Sequence, residues 1–178
     1  ARRALRALRA AALGLLILCA LPVRAELELQ SLRWQLAARE KGQLVKPAKI
    51  ESLALTPGAA LGGRLQAVVK LLNRGAVAEG ILLRYAISAK IARGKDSDQA
   101  VWAVPFATEG KRVPKIGANQ FFETVLDPTA FIDIYLKRLS RAGYWPSEIK
   151  IQVMLEPRKD AIGALQILER PLPFWASP

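Results

Sequence analysis

The sequence predicts a mainly β fold, an antiparallel β-sandwich with one inserted α-helix at about residues 128–142. Three observations carry this. Stretch after stretch alternates apolar and polar side chains with period two, as half-buried strands do. A single segment shows apolar residues at helical spacing between a start and a stop signal. Composition is that of a folded domain, with 52% hydrophobic and 24% charged residues.

The N-terminal segment is set apart from this pattern. Arg2, Arg3, Arg6 and Arg9 precede an apolar run over residues 10–23, and Val23-Arg24-Ala25 closes it with side chains that a signal peptidase accepts. This order is that of a secretory signal over residues 1–25, cleaved between Ala25 and Glu26. As a helix, the run would extend about 21 Å, short of the ~30 Å hydrocarbon core. An uncleaved membrane anchor is therefore the weaker alternative. Leu18 before Cys19 is too large for lipoprotein processing, and the absence of serine before Ser31 disfavours an organelle transit peptide. Residues 26–178 then form one domain, with no repeat or linker to divide them.

Within that domain, Leu27 and Leu29, then Leu32, Trp34 and Leu36, read as one strand that slips register near Gln30-Ser31. Residues 50–55 read as a second strand, ended by Thr56-Pro57-Gly58. Residues 64–72 place Leu65, Ala67, Val69 and Leu71 on one face; Asn73 and Gly75 close the strand as residues that tolerate positive φ. Over residues 81–91, Ile81, Leu83, Tyr85, Ile87, Ala89 and Ile91 oppose Arg84, Ser88 and Lys90. A polar loop at 93–99 follows, then strands at 101–106 and 121–126 around a Gly-, Pro- and Lys-rich excursion. Asp127-Pro128 reads as N-cap and first helical residue, Phe131, Ile132, Tyr135, Leu136 and Leu139 form an apolar stripe, and Gly143 stops the helix. Residues 148–155 and 165–168 supply the last strands before a proline-rich tail. A barrel would accommodate the same elements.

The stretch GRLQAVVKLLNRGAVAEGILLRYAIS, residues 63–88, resembles the middle of small bacterial immunoglobulin-like domains of the CARDB and FxLYD types. There an alternating strand ends in Asn-x-Gly and the next begins after a short Ala- or Gly-containing loop, a pattern matched by Val69, Leu71, Asn73, Gly75 and Gly80. The helix is a departure from it. The resemblance implies an immunoglobulin-like sandwich with a binding or scaffold role and no catalytic residues to carry over.

Residue chemistry narrows the function classes. The net charge is +12, but five of the 27 basic residues lie in the first 25, leaving 22 against 15 acidic ones. No histidine occurs, which removes the commonest general base and metal ligand, and Cys19 is the only cysteine, so a structural zinc site is not expected. No Gly-x-Ser-x-Gly elbow surrounds any serine, and no phosphate-cradling loop is present. Asp96 and Asp98 lack the ligand series of a calcium loop. The expectation is a non-enzyme without cofactor, metal or nucleic-acid partner.

The segment 109–119, EGKRVPKIGAN, concentrates Lys111, Arg112 and Lys115 around Val113-Pro114 on a loop or sheet edge. With Trp102 and Trp145 as aromatic anchors, these residues are the expected partner-binding set. A periplasmic or secreted accessory or scaffold protein that binds another envelope protein follows as the functional expectation; a module for anionic glycan or lipid headgroups is the alternative.

Overall fold

The computed structural model describes residues 25–56, 58–94, 99–156 and 165–176. Residues 1–24, nearly all of the expected signal over 1–25, and Asp96 and Asp98 lie outside them. Among the described residues, eleven strands and one helix follow in order: β1 (Leu27–Glu40), β2 (Gln43–Leu44), β3 (Ala48–Ile50), β4 (Leu53–Leu55), β5 (Gly63–Asn73), β6 (Ile81–Arg93), β7 (Val101–Trp102), β8 (Ala107–Val113), β9 (Gln120–Leu126), α1 (Thr129–Arg141), β10 (Tyr144–Leu155) and β11 (Gln166–Ala176).

They form two sheets. Sheet I runs β2-β1-β5-β9, with β3 also paired to β1; sheet II runs β4-β11-β10-β6-β7, with β8 also paired to β6. The inward faces meet in one apolar core that includes Trp34, Leu65, Leu71, Leu83, Ile87, Ile149, Ile151 and Leu172. The described residues thus form a mainly β sandwich with one helix. Its pairs are antiparallel except β4 with β11, which run parallel over Leu53–Leu55 and residues 174–176.

The register slip in β1 is a bulge between Leu29 and Ser31. Opposite it, the Gln166 amide bonds the backbone of β1, accepting from Leu29 N and donating to Leu27 O, both at 2.7 Å. A side chain so replaces a missing neighbouring strand.

Several expectations need correction. Residues 50–55 are not one strand. β3 belongs to sheet I and β4 to sheet II, and the chain crosses between them at Glu51-Ser52. Glu51 fixes the crossing by ion pairs to Lys49 (2.6 Å) and to Arg170 of β11. The excursion after residue 106 contains a full strand, β8, whose alternation was hidden because an edge strand carries charge on both faces. The proline-rich tail is also a strand. Its register with β10 is unbroken across Pro171 and Pro173, as it is when the missing N–H groups point away from that partner.

The helix begins one residue later than its sequence signals suggest. Pro128 occupies the cap position, its carbonyl accepting from Ile132 N at 3.1 Å. The Asp127 carboxylate accepts from Thr129 N at 3.3 Å. The buried face is Ile132, Leu136 and Leu139, whereas Phe131 is exposed. Tyr135 stacks on Phe106, centroids 3.9 Å apart. Gly143, at φ +75°, ends the helix in the left-handed region. The helix packs against β10 and β5, joining sheet I to sheet II.

Candidate partner-binding surface

Cross-strand neighbours share a face of a sheet, so the registers define the outer face of sheet II. One row crosses it as Pro173, Glu148, Lys90 and Trp102. The next rows carry Pro171, Lys150 and Ser88, then Glu169, Gln152, Ala86 and Thr108, then Ile167, Met154, Arg84 and Gly110. Trp175, two residues beyond Pro173 in β11, falls on the same face. Trp102 and Trp175 are 42% and 52% exposed, high values for the largest apolar side chain.

Beside these tryptophans on the same face lies a polar network. Lys150 Nζ donates to Glu169 Oε2 at 3.0 Å and stands 5.0 Å from the Trp102 ring centroid. Gln152 Nε2 donates to Glu169 Oε1 at 2.6 Å. Arg84 pairs with Glu156 at the end of β10. The face is therefore aromatic and of mixed charge, with Lys90 and Glu148 side by side.

The residues expected from sequence do not form one patch. Lys111 and Arg112 are adjacent on β8 and so point to opposite faces. Arg112, level with Leu82, joins the outer face; Lys111, level with buried Leu83, lies on the inward side of the margin, yet both are exposed. Lys115 lies beyond β8 and is ion-paired to Glu79 at 2.9 Å. Trp145 is half-buried opposite Ala92 and lines a small hollow of about 10 Å³ with Leu136, Ser140 and Pro146. Of the expected set, Trp102 and Arg112 share a surface. Trp175 was missed, because its strand was read as a tail.

Ala25 packs against the core, and Glu26 is tethered at once. Its N–H donates to Asn73 Oδ1 at 3.3 Å and its carbonyl accepts from Arg74 N at 2.8 Å. Asn73, fully buried, also accepts from Gly75 N at 3.2 Å and donates to the carbonyls of Ala76 (2.6 Å), Ile116 (3.2 Å) and Gly117 (2.9 Å). Neither Asn73 nor Gly75 has positive φ. The asparagine closes this turn with its amide instead of a left-handed backbone.

A Ser-x-x-Lys spacing occurs at Ser147–Lys150, but each side chain is engaged elsewhere. Ser147 Oγ donates to Lys90 O at 3.4 Å, and Lys150 to Glu169. An open cleft of about 710 Å³ lies between the β1–β2 hairpin and the start of α1, lined by Arg39, Leu44, Arg64 and Asp133. Its Asp133 accepts from Leu61 N at 2.8 Å and its Arg64 pairs with Asp127 at 2.7 Å. Among the described residues no group of three or more acidic or cysteine side chains converges as a metal site would require, and no helix is long and apolar enough to cross a membrane.

The shifted ionisable groups are structural. Burial raises the phenols of Tyr135 and Tyr85, the latter also through Glu109 and Asp127. The bidentate Arg33 bond holds Glu123 below the usual carboxylate range, and bonds from Lys49 and Arg170 do the same for Glu51.

No protein-family model matches the chain, and no curated protein is significantly similar to it. Among solved structures, the crystal structure of beta-D-glucoside glucohydrolase from Trichoderma reesei is similar over 86% of this chain and 19% of that one, at 10% identity and a TM-score of 0.35. The chain spans less than a fifth of that protein, and so slight a likeness carries no functional argument.

Proposed function

We propose that this chain is an exported, non-catalytic accessory or scaffold domain of the cell envelope that binds another envelope protein. One observation carries the reading: the outer face of sheet II presents Trp102 and Trp175 beside a mixed-charge network. Tryptophan and arginine dominate protein-binding hot spots. Glu148, Glu156 and Glu169 among the cations favour a protein surface, with charges of both signs, over a polyanionic glycan or lipid headgroup. The leader sequence supports export to the periplasm or beyond, and the Asn-x-Gly pattern supports an immunoglobulin-like subtype of sandwich.

The test is affinity purification of the full chain from native envelopes, beside a Trp102→Ala/Trp175→Ala variant with unchanged circular dichroism. A stoichiometric protein partner retained by the wild type and lost by the variant is expected. Salt-sensitive retention on anionic vesicles, with no protein partner, would replace this reading with the lipid one. N-terminal sequencing of the purified chain should begin at Glu26.

A further inference from the structure

One flank of the sandwich ends in two uncovered strands of equal length, β8 of sheet II and β9 of sheet I, each paired on one side only among the described residues. The other terminal strands, β2, β3, β4 and β7, span only two or three residues. Short edges resist addition of a foreign strand; long apolar ones invite it.

These two edges differ in chemistry. On β9, Phe121 and Val125 are 58% and 40% exposed, proline and lysine are absent, and the one charge, Glu123, is drawn back across β5 by its bidentate pair with Arg33. Lys70 Nζ covers one side of Phe121 at 4.2 Å from the ring centroid. On β8, Glu109 and Lys111 lie on the inward side of the sheet margin, level with Tyr85 and Leu83. Charges so placed repel an ordinary apolar strand.

The same charges accept a second copy. Antiparallel pairing of β8 with its symmetry mate about Gly110 sets Glu109 opposite Lys111 of the other copy, twice. Pairing of β9 about Glu123 sets Phe121 opposite Val125, also twice. One two-fold axis can serve both strands. Asn73 pairs with Gln120 at one end of β9, the Ala78–Ile116 bridge lies between the strands, and Ile81 pairs with Val113 at the matching end of β8. Counted along each strand, Gly110 and Glu123 lie three residues in from that shared end. Pro105 and Pro114 flank β8 just outside the window that would pair.

We infer that the chain forms a two-fold homodimer through its β8–β9 flank, with Glu109 facing Lys111 and Phe121 facing Val125 across the axis. Both sheets become continuous through the dimer, and the axis is normal to them. The Trp102- and Trp175-bearing faces of the two copies then lie on one side, as a bivalent surface. The two central Glu123 carboxylates oppose association, an effect that their Arg33 partners reduce.

Charge-swap variants of the full chain, as recovered from expressing cells, test this by sedimentation equilibrium. The wild type should be dimeric at about 100 µM, while Glu109→Lys and Lys111→Glu should each weaken dimerisation at least about tenfold by setting like charges opposite. The double swap Glu109→Lys/Lys111→Glu should restore it, since it re-creates every pair with sign reversed. Val125→Lys should yield monomer that keeps the wild-type circular dichroism spectrum. A monomeric wild type at that concentration, single swaps without effect, or a double swap as weak as the singles would each overturn the inference.

Discussion

Asn73→Ala removes an amide that ties three separate segments together. Its donors reach the carbonyls of Ala76, Ile116 and Gly117, and its oxygen receives the N–H groups of Glu26 and Gly75. The Ile116 carbonyl keeps its bond from Ala78 N at 2.9 Å, so the variant leaves it satisfied. The other four backbone groups lose a partner in a turn whose centre is fully buried. At about 1 kcal/mol per bond, partly recovered where water can enter, the cost is about 3 kcal/mol. For a domain of this size that lowers the melting temperature by about 6–12 °C. Urea melts would measure the loss as a lower midpoint at unchanged slope. Asn73→Asp should cost at least as much at neutral pH, because a carboxylate offers no donor to the carbonyls around it. A loss below about 0.5 kcal/mol in Asn73→Ala would refute the view of Asn73 as the organiser of this end of the sandwich, since surface substitutions reach that value without any special role.

Gly63→Ala should destabilise by more than about 2 kcal/mol in the same melts, since a Cβ there would stand 2.2 Å from the Ala37 carbonyl oxygen, which is backbone and cannot swing aside. Trp34→Phe should cost about 2–4 kcal/mol, because the indole, 1% exposed, fills the core and donates to Arg170 O at 3.0 Å, leaving both a void and an unpaired carbonyl. Carbon-detected NMR titration should find Glu123 ionising below the usual glutamate range and returning to it in Arg33→Ala. Its folded-state value being depressed, the associated stability is present above the ordinary glutamate range and fades as pH falls through the folded value; for so exposed a pair it is about 0–1 kcal/mol. Ultraviolet titration should find Tyr85 and Tyr135 ionising later than free tyrosine. Their folded values being raised, the stability they contribute is complete below the ordinary phenol range and is lost as pH climbs through it toward those values.

Central strands were legible in the sequence because each is buried on one face and bounded by turns. β6 and β10 show this, and the bulge of β1 was visible as a slip in its alternation. Edges were not legible, for a physical reason. A margin strand needs no consistent apolar face, so β8 reads as a charged loop, and β11 reads as a tail because prolines are tolerated where no neighbour needs their N–H. The break between β3 and β4 escaped notice because two inward-facing pieces on opposite sheets keep the same alternation. Site residues suffered most. Lys111 and Arg112 are neighbours in sequence, but the pleat separates them, whereas Trp102 and Trp175 are far apart in sequence and share one face.

The treatment of the strand margins separates the two flanks of this sandwich. On one flank, β1 has neighbours β3 and β2 only from Trp34 onward, and the Gln166 amide bonds the backbone that lacks a strand partner before that point. Short β4 and the Glu51 pairs close the adjoining rim. That flank is finished by the chain's own side chains. The β8–β9 flank has no such covering among the described residues, and its exposed apolar pair lies beside charges that discriminate between partners. A selectively charged, otherwise bare edge is the arrangement expected where association must be both favourable and specific. The tryptophan-bearing face and the open flank are perpendicular surfaces, so occupation of one leaves the other accessible. A domain built in this way can pair with its own copy and still present its aromatic face to a different protein.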